Sequence, residues 1–273
     1  MKKSIAVAGL IAAAAAVAVP VILAAPGRAK KSRKSPFMGR NFAHRGLHTE
    51  DMSVPENSLE AFKQARDAGY GVELDLRLSK DGELVVFHDD ALERLCGVEG
   101  RVEDKDYAEL RELKLCETQE HIPLLGEVLE LVDGSVPLIV ELKNGRRNKE
   151  LCEKAHALLS GYKGDYCIES FNPLIVGWFR HNAKDVLRGQ LATVYSDYGN
   201  IKKPMAFALS RCFANIISRP HFIAYRIGPR PLTVRMAELM GAMKVGYTSR
   251  VEENEIGRDA VIFEFYRPRL KYK

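Results

Sequence analysis

Two rhythms of apolar residues alternate along this chain from residue 41 onward. Short apolar runs bounded by Gly, Pro, Asn or charged residues read as buried strands, and they alternate with stretches whose apolar positions return every three or four residues. The strand runs are Asn41–Ala43, Val72–Leu78, Leu138–Leu142, Tyr166–Glu169, Val186–Leu191, Phe222–Tyr225, Lys244–Tyr247 and Ala260–Phe263. Helical spacing falls between them. It begins after Asn57 or Ser58, either of which can cap a helix carrying Leu59, Phe62, Ala65 and Ala68 on one face. It continues at Leu124–Val132, Arg147–Leu159, Pro173–His181, Met205–Ile217 and Pro231–Met240, with a short helix near Glu252. Alternation of this kind predicts an α/β fold, a TIM (β/α)8 barrel whose site lies at the carboxyl ends of the strands.

One connection breaks the rhythm. Lys80-Asp81-Gly82 is too short for the crossover that parallel strands need, so residues 72–88 should form an antiparallel hairpin. A turn centred on Asp81-Gly82 sets Asp75 opposite His88, and cross-strand partners share a face. Residues 89–121 are charged and less periodic, which predicts a small insertion after the second strand, spanning about 78–121.

Residues 4–25 form an apolar run rich in Ala and Val, close to the ~20 residues that cross a bilayer. Pro26 directly after Ala25 disfavours cleavage there, so the run predicts an N-terminal transmembrane helix rather than a signal peptide. The chain then divides into an anchor with a basic linker, residues 1–35, and one folded domain, residues 36–273. Arg28, Lys30, Lys31, Arg33 and Lys34 outnumber Lys2 and Lys3, so the positive-inside rule makes this a single-pass membrane protein with its domain on the cytoplasmic side. The same cluster suits anionic headgroups.

Net charge is +5, but seven of the 41 Lys and Arg lie before residue 35, where there is no acid, leaving 34 basic against 36 acidic residues. A nearly neutral domain argues against a nucleic-acid partner. Five cysteines, odd in number and widely spaced, suggest neither a zinc site nor a disulfide framework.

The chemistry concentrates at strand ends. Residues two apart in a strand face the same side, so Glu73 and Asp75 project together while Leu74 and Leu76 pack the other way. Paired carboxylates inside an apolar barrel need neutralising, most simply by a divalent cation. Glu141 and Lys143 repeat the relation one strand over. With His44-Arg45-Gly46 and Val85-Val86-Phe87-His88-Asp89 they make a parts list for metal-assisted phosphate chemistry.

These runs, together with Pro55-Glu56-Asn57-Ser58, Asp81-Gly82 and Ser170-Phe171-Asn172, resemble the glycerophosphodiester phosphodiesterase family in order and spacing over roughly residues 41–191. The resemblance implies a TIM barrel with a small insertion and a divalent ion, Ca²⁺ or Mg²⁺, on Glu73, Asp75 and Glu141. It implies His44 and His88 as the acid–base pair, with Arg45 and Lys143 binding the substrate phosphate. The implied activity is metal-dependent hydrolysis of glycerophosphodiesters to glycerol phosphate and an alcohol, in phospholipid metabolism. The alternatives are a phospholipase D-like hydrolase of lysophospholipids and a non-catalytic barrel that binds membrane headgroups.

Two rim motifs depart from the family. Its Trp-Thr-Val-Asn run is here Tyr247-Thr248-Ser249-Arg250, and its Thr-Asp-x-Pro close is Phe263-Glu264-Phe265-Tyr266. Tyr247 is a candidate aromatic wall and Arg250 a candidate contact for an anionic headgroup, with ordinary rim packing as the alternative for both. His48 reads as loop surface, His121, His156 and His181 as solvated without partners, and Trp178 as packing against the barrel.

Overall fold

The computed structural model describes residue 16, residues 18–199 and residues 201–272. Nine strands form one sheet: β1 (Arg40–Ala43), β2 (Gly71–Leu78), β3 (Leu84–Val86), β4 (Leu138–Leu142), β5 (Tyr166–Ser170), β6 (Leu187–Ala192), β7 (Phe222–Arg226), β8 (Met243–Ser249) and β9 (Ala260–Phe263). All except β3 are parallel, and pairing of β1 with both β2 and β9 closes them into an eight-stranded barrel. Antiparallel β3 flanks β2.

The outer layer follows in chain order: α1 (residues 18–24), α2 (Lys31–Lys34), α3 (Leu59–Asp67), α4 (Glu93–Cys96), α5 (Tyr107–Arg111), α6 (Leu125–Val132), α7 (Asn148–Ser160), α8 (Pro173–Asn182), α9 (Lys203–Ser210), α10 (Asn215–Ser218) and α11 (Leu232–Leu239). Local chemistry sets their ends. The Ser58 hydroxyl accepts from Ala61 N at 3.1 Å and starts α3, and Asn172 caps α8 ahead of Pro173. The helical stretch expected at 205–217 divides into α9 and α10, because buried Cys212 takes a left-handed backbone (φ 56°) between them.

Strand alternation separates two cores. Val72, Leu74 and Leu76 of β2 and Leu138, Val140 and Leu142 of β4 point outward against α3, α6 and α7. Inside, Phe42, Ile139, Cys167, Leu187, Phe222 and Met243 fill the lower barrel. Gly189 leaves room for one of those rings, since a Cβ there would lie 2.0 Å from Phe222. The insertion between β3 and α6 has its own core, in which Val85 and Phe87 meet Leu92, Leu95, Val102 and Leu110.

The hairpin register differs from expectation by one residue. Leu76 pairs with Val86 and Arg77 with Val85, so Asp75 faces Phe87, whose amide donates to the Asp75 carbonyl at 3.0 Å, and not His88. Phe87 claims that position because its ring anchors the insertion core. The expected anchor at residues 4–25 falls largely outside the described residues. Among those described, no helix is long and apolar enough to cross a membrane. Asn215 Nδ2 donates to the Ala24 carbonyl at the end of α1, and Gly27 N to the Pro220 carbonyl.

Candidate active site

Strand register builds the floor of the site. Asp75 of β2 pairs with Glu141 of β4, which pairs with Glu169 of β5, so three neighbouring strands carry carboxylates at one level of the interior. Glu73 lies two residues before Asp75 on the same face. One carboxylate oxygen from each of Glu73, Asp75 and Glu141 lies within 4.8 Å of the others, and all three residues are buried. Burial first, then repulsion from Asp75 and Glu141, pushes Glu73 well above the ordinary carboxylate range. Burial also opposes ionisation of Asp75, but Lys143, His88, Arg45 and the Asn57 amide outweigh it and hold Asp75 well below that range. Crowded, buried, all-oxygen donors fit a hard divalent cation.

Two cations are woven into this floor. Lys143 Nζ lies 3.2 Å from Asp75 Oδ1 and 2.8 Å from Glu141 Oε1. Arg45 Nε lies 3.2 Å from Asp75 Oδ2, and Arg45 Nη1 donates to Glu56 at 2.7 Å. Arg45 holds a left-handed backbone (φ 53°), which costs a non-glycine residue conformational energy. The fold secures it from both sides: Arg45 N donates to Glu73 Oε2, and Asn57 N donates to the Arg45 carbonyl, each at 2.9 Å. Gly46 must be glycine, because its φ is +79° and a Cβ would sit 2.7 Å from the Ala61 backbone.

Each catalytic candidate histidine has a carboxylate on Nδ1. His44 Nδ1 lies 2.8 Å from Glu264 Oε2, and His88 Nδ1 lies 2.6 Å from Asp89 Oδ1. Burial drives His44 down to about 4, against the opposing pull of Glu264, so its ring is neutral at physiological pH. Burial would raise Glu264, yet the hydrogen bond from His44 and the Arg250 guanidinium bring it to about 2. Asp89 is likewise held ionised by His88 and Arg94. Arg77 clamps the strand exit, donating from Nε and Nη2 to the His88 carbonyl at 3.0 and 2.9 Å.

His44, Arg45, Glu73, His88, Glu141 and Lys143 line one cleft of about 220 Å³ at the carboxyl ends of the strands. Asp75 lies just beneath, 1% exposed. All seven residues singled out in the sequence therefore converge, and His88 joins them despite the shifted register because β3 ends at Val86. Phe171, Leu191, Tyr247 and Ile262 form the opposite, apolar wall.

Tyr247 is fixed there by its hydroxyl, which donates to the Ala192 carbonyl at 3.0 Å, and by an edge contact with Phe171. Arg250 is not free for a headgroup, since Nε and Nη2 both donate to Glu264. His48 is not loop surface. It is 8% exposed, its Nδ1 lies 2.9 Å from the His44 carbonyl, and its ring meets Phe265. His156 has partners too, the rings of Trp178 and Phe179.

Two carboxylates at the site escaped sequence reasoning. Glu264 occupies the departing C-terminal motif, and Glu169 reads only as the end of a strand, although its two-residue spacing from inward Cys167 marked its face. Burial, followed by Glu141 and Asp75, raises Glu169 well above the carboxylate range, and its Oε2 has no hydrogen-bond partner among the described residues.

Comparison with known proteins gives the same direction. A glycerophosphodiester phosphodiesterase of Caldanaerobacter subterraneus is 42% identical over 111 residues, 38% of this chain and 44% of that protein. Lysophospholipase D GDPD1 of Rattus norvegicus is 32% identical over 159 residues, covering 54% of this chain and 49% of the relative. The chain thus spans about half the length of the curated relatives it matches. Among solved structures, a phosphodiesterase of Oleispira antarctica in complex with its product sn-glycerol-3-phosphate superposes with a TM-score of 0.68 at 23% identity, over 84% of this chain and 94% of that one. A glycerophosphodiester phosphodiesterase of Thermotoga maritima superposes with a TM-score of 0.62 at 28% identity, over 82% and 93%. The model of the glycerophosphoryl diester phosphodiesterase family matches residues 44–258, from the first site histidine to the turn before the last strand, and the chain belongs to that family.

Proposed function

We propose that this chain hydrolyses glycerophosphodiesters to glycerol phosphate and an alcohol, in phospholipid metabolism. One observation carries the reading: two imidazoles, each tethered by a carboxylate, face a single cleft floored by a buried acidic trio. Glu73, Asp75 and Glu141 would hold the divalent cation, Ca²⁺ or Mg²⁺, which supplies Lewis-acid polarisation of the phosphoryl group. His44 donates Nδ1–H to Glu264 and offers Nε2 to take a proton from the attacking water, whose oxygen forms the new bond to phosphorus. His88, aligned by Asp89, gives a proton to the departing alcohol oxygen as its bond to phosphorus breaks. Arg45 and Lys143 stabilise the phosphate's charge from the floor.

The test is turnover of a glycerophosphodiester panel before and after chelation with EDTA and metal add-back. Wild type should lose activity on chelation and regain it on add-back. His44→Ala and His88→Ala should each fall by roughly 10²–10⁴-fold. Full activity after thorough chelation would remove the metal assignment.

The apolar wall of Phe171, Leu191, Tyr247 and Ile262 favours a second reading, lysophospholipid hydrolysis. Cleavage of lysophosphatidylcholine but not of glycerophosphocholine would select it. Residues 36–273 form the catalytic unit in either case. The apolar N-terminal run and its basic flank support a membrane location with that unit on the cytoplasmic side.

A further inference from the structure

Positive charge is segregated in this chain. No Asp or Glu precedes Glu50, and none occurs between Asp197 and Glu238, a stretch with seven Lys or Arg. The fold joins the two acid-free segments. Arg219 Nη1 donates to the carbonyls of Ile22 and Ala25 at 2.9 and 2.8 Å, and Asn215 Nδ2 donates to Ala24 at 2.8 Å. The end of α1 therefore lies against α10.

The end of α1, α10 and the helix just ahead of it in the chain, α9, also expose apolar side chains where a water-facing layer would be polar. Val19, Ile22, Met205, Phe207, Ile216 and Ile217 are 51, 55, 57, 45, 42 and 41% exposed. Nearby carboxylates are already matched: Asp185 by Arg33, Asp197 by Arg226 and Glu238 by Arg230. Among the described residues, Lys202, Lys203 and Arg235 pair with no carboxylate.

Apolar side chains among unpaired cations are the chemistry of an interfacial surface on anionic lipid. We infer that α1, α9 and α10 form a flank that rests on an anionic bilayer. The apolar side chains enter the headgroup–acyl boundary, and Lys202 and Lys203 meet lipid phosphates. A bilayer is favoured over a protein partner because the apolar run of residues 4–25 ends on this same flank. The inference does not depend on which diester the cleft accepts.

Tryptophan quenching by vesicles of dibrominated phosphatidylcholine with about one-third phosphatidylglycerol tests it in the full chain. Phe207→Trp places a reporter on the flank, and Leu158→Trp places a control on exposed α7. Met205→Trp is a second reporter should the first lose its fold, with unchanged thermal unfolding as the criterion. Quenching at 207 or 205 but not at 158 is the expected result. Lys202→Glu with Lys203→Glu should weaken vesicle binding at least ~30-fold, since each lysine lost is worth ~1 kcal/mol near the surface. Equal quenching at flank and control positions would overturn the inference. So would binding without flank quenching and without sensitivity to charge reversal, since residues 4–25 alone would then hold the chain.

Discussion

His44 is a buried imidazole whose proton inventory is set by one neighbour, Glu264. In its proposed role of proton acceptor it works in its neutral form, and with a value near 4 that form persists well below neutral pH. We expect the acid limb of kcat/KM to fall near pH 4 rather than near 6.5. Glu264 raises His44, so Glu264→Gln should move the limb to still lower pH while kcat drops roughly 10–100-fold. A pH–rate profile of both proteins checks this. Glu169 makes a different case. Burial, then Glu141 and Asp75, push Glu169 well above the carboxylate range, toward the uncharged form that Gln matches in shape and charge. Divalent-cation affinity by calorimetry should barely change in Glu169→Gln, whereas Glu73→Gln should lose about tenfold or more. Glu264 was illegible in the sequence for a plain reason: its partner lies 220 positions away, and the motif around it departs from the family's.

At the level of elements, strand boundaries were readable because interior strands are continuous apolar runs cut off by charged residues, and β4 and β9 match expectation to the residue. Register was less legible. Turn chemistry at Asp81-Gly82 allows alignments one residue apart, and the choice was made by Phe87, whose burial in the insertion no local pattern reports. Phe87→Ala should cost about 3–5 kcal/mol in denaturant unfolding and also depress turnover, by loosening the exit that carries His88. The split between α9 and α10 was hidden likewise, since apolar spacing continues through Cys212. Gly189 and Phe222 form an interlocked pair in the barrel interior. Gly189→Ala should cost about 1–3 kcal/mol by overpacking, and the added Phe222→Leu substitution should return part of it, as a double-mutant cycle would show.

Over the whole molecule, acid sensitivity has a second source beneath the barrel. Burial, reinforced by Arg188, Lys34 and Arg33, lowers His221 to about 3. The unfolded chain binds that proton near pH 6.5, the folded chain only near 3, so stability should fall as pH drops through this window. His221→Gln should flatten that part of the curve in pH-dependent thermal unfolding. His221, Pro220, Asp185 and Gly241 all lie just before the strands they lead into, so the contacts of Gly27, Arg33 and Lys34 with Pro220, Asp185 and Gly241 fasten the amino-terminal segment to the foot of the barrel. The foot and the cleft are opposite ends of one cylinder. A pull applied through the residues ahead of Gly27 would therefore be borne at the base, a barrel's length away from the rim where the cleft opens.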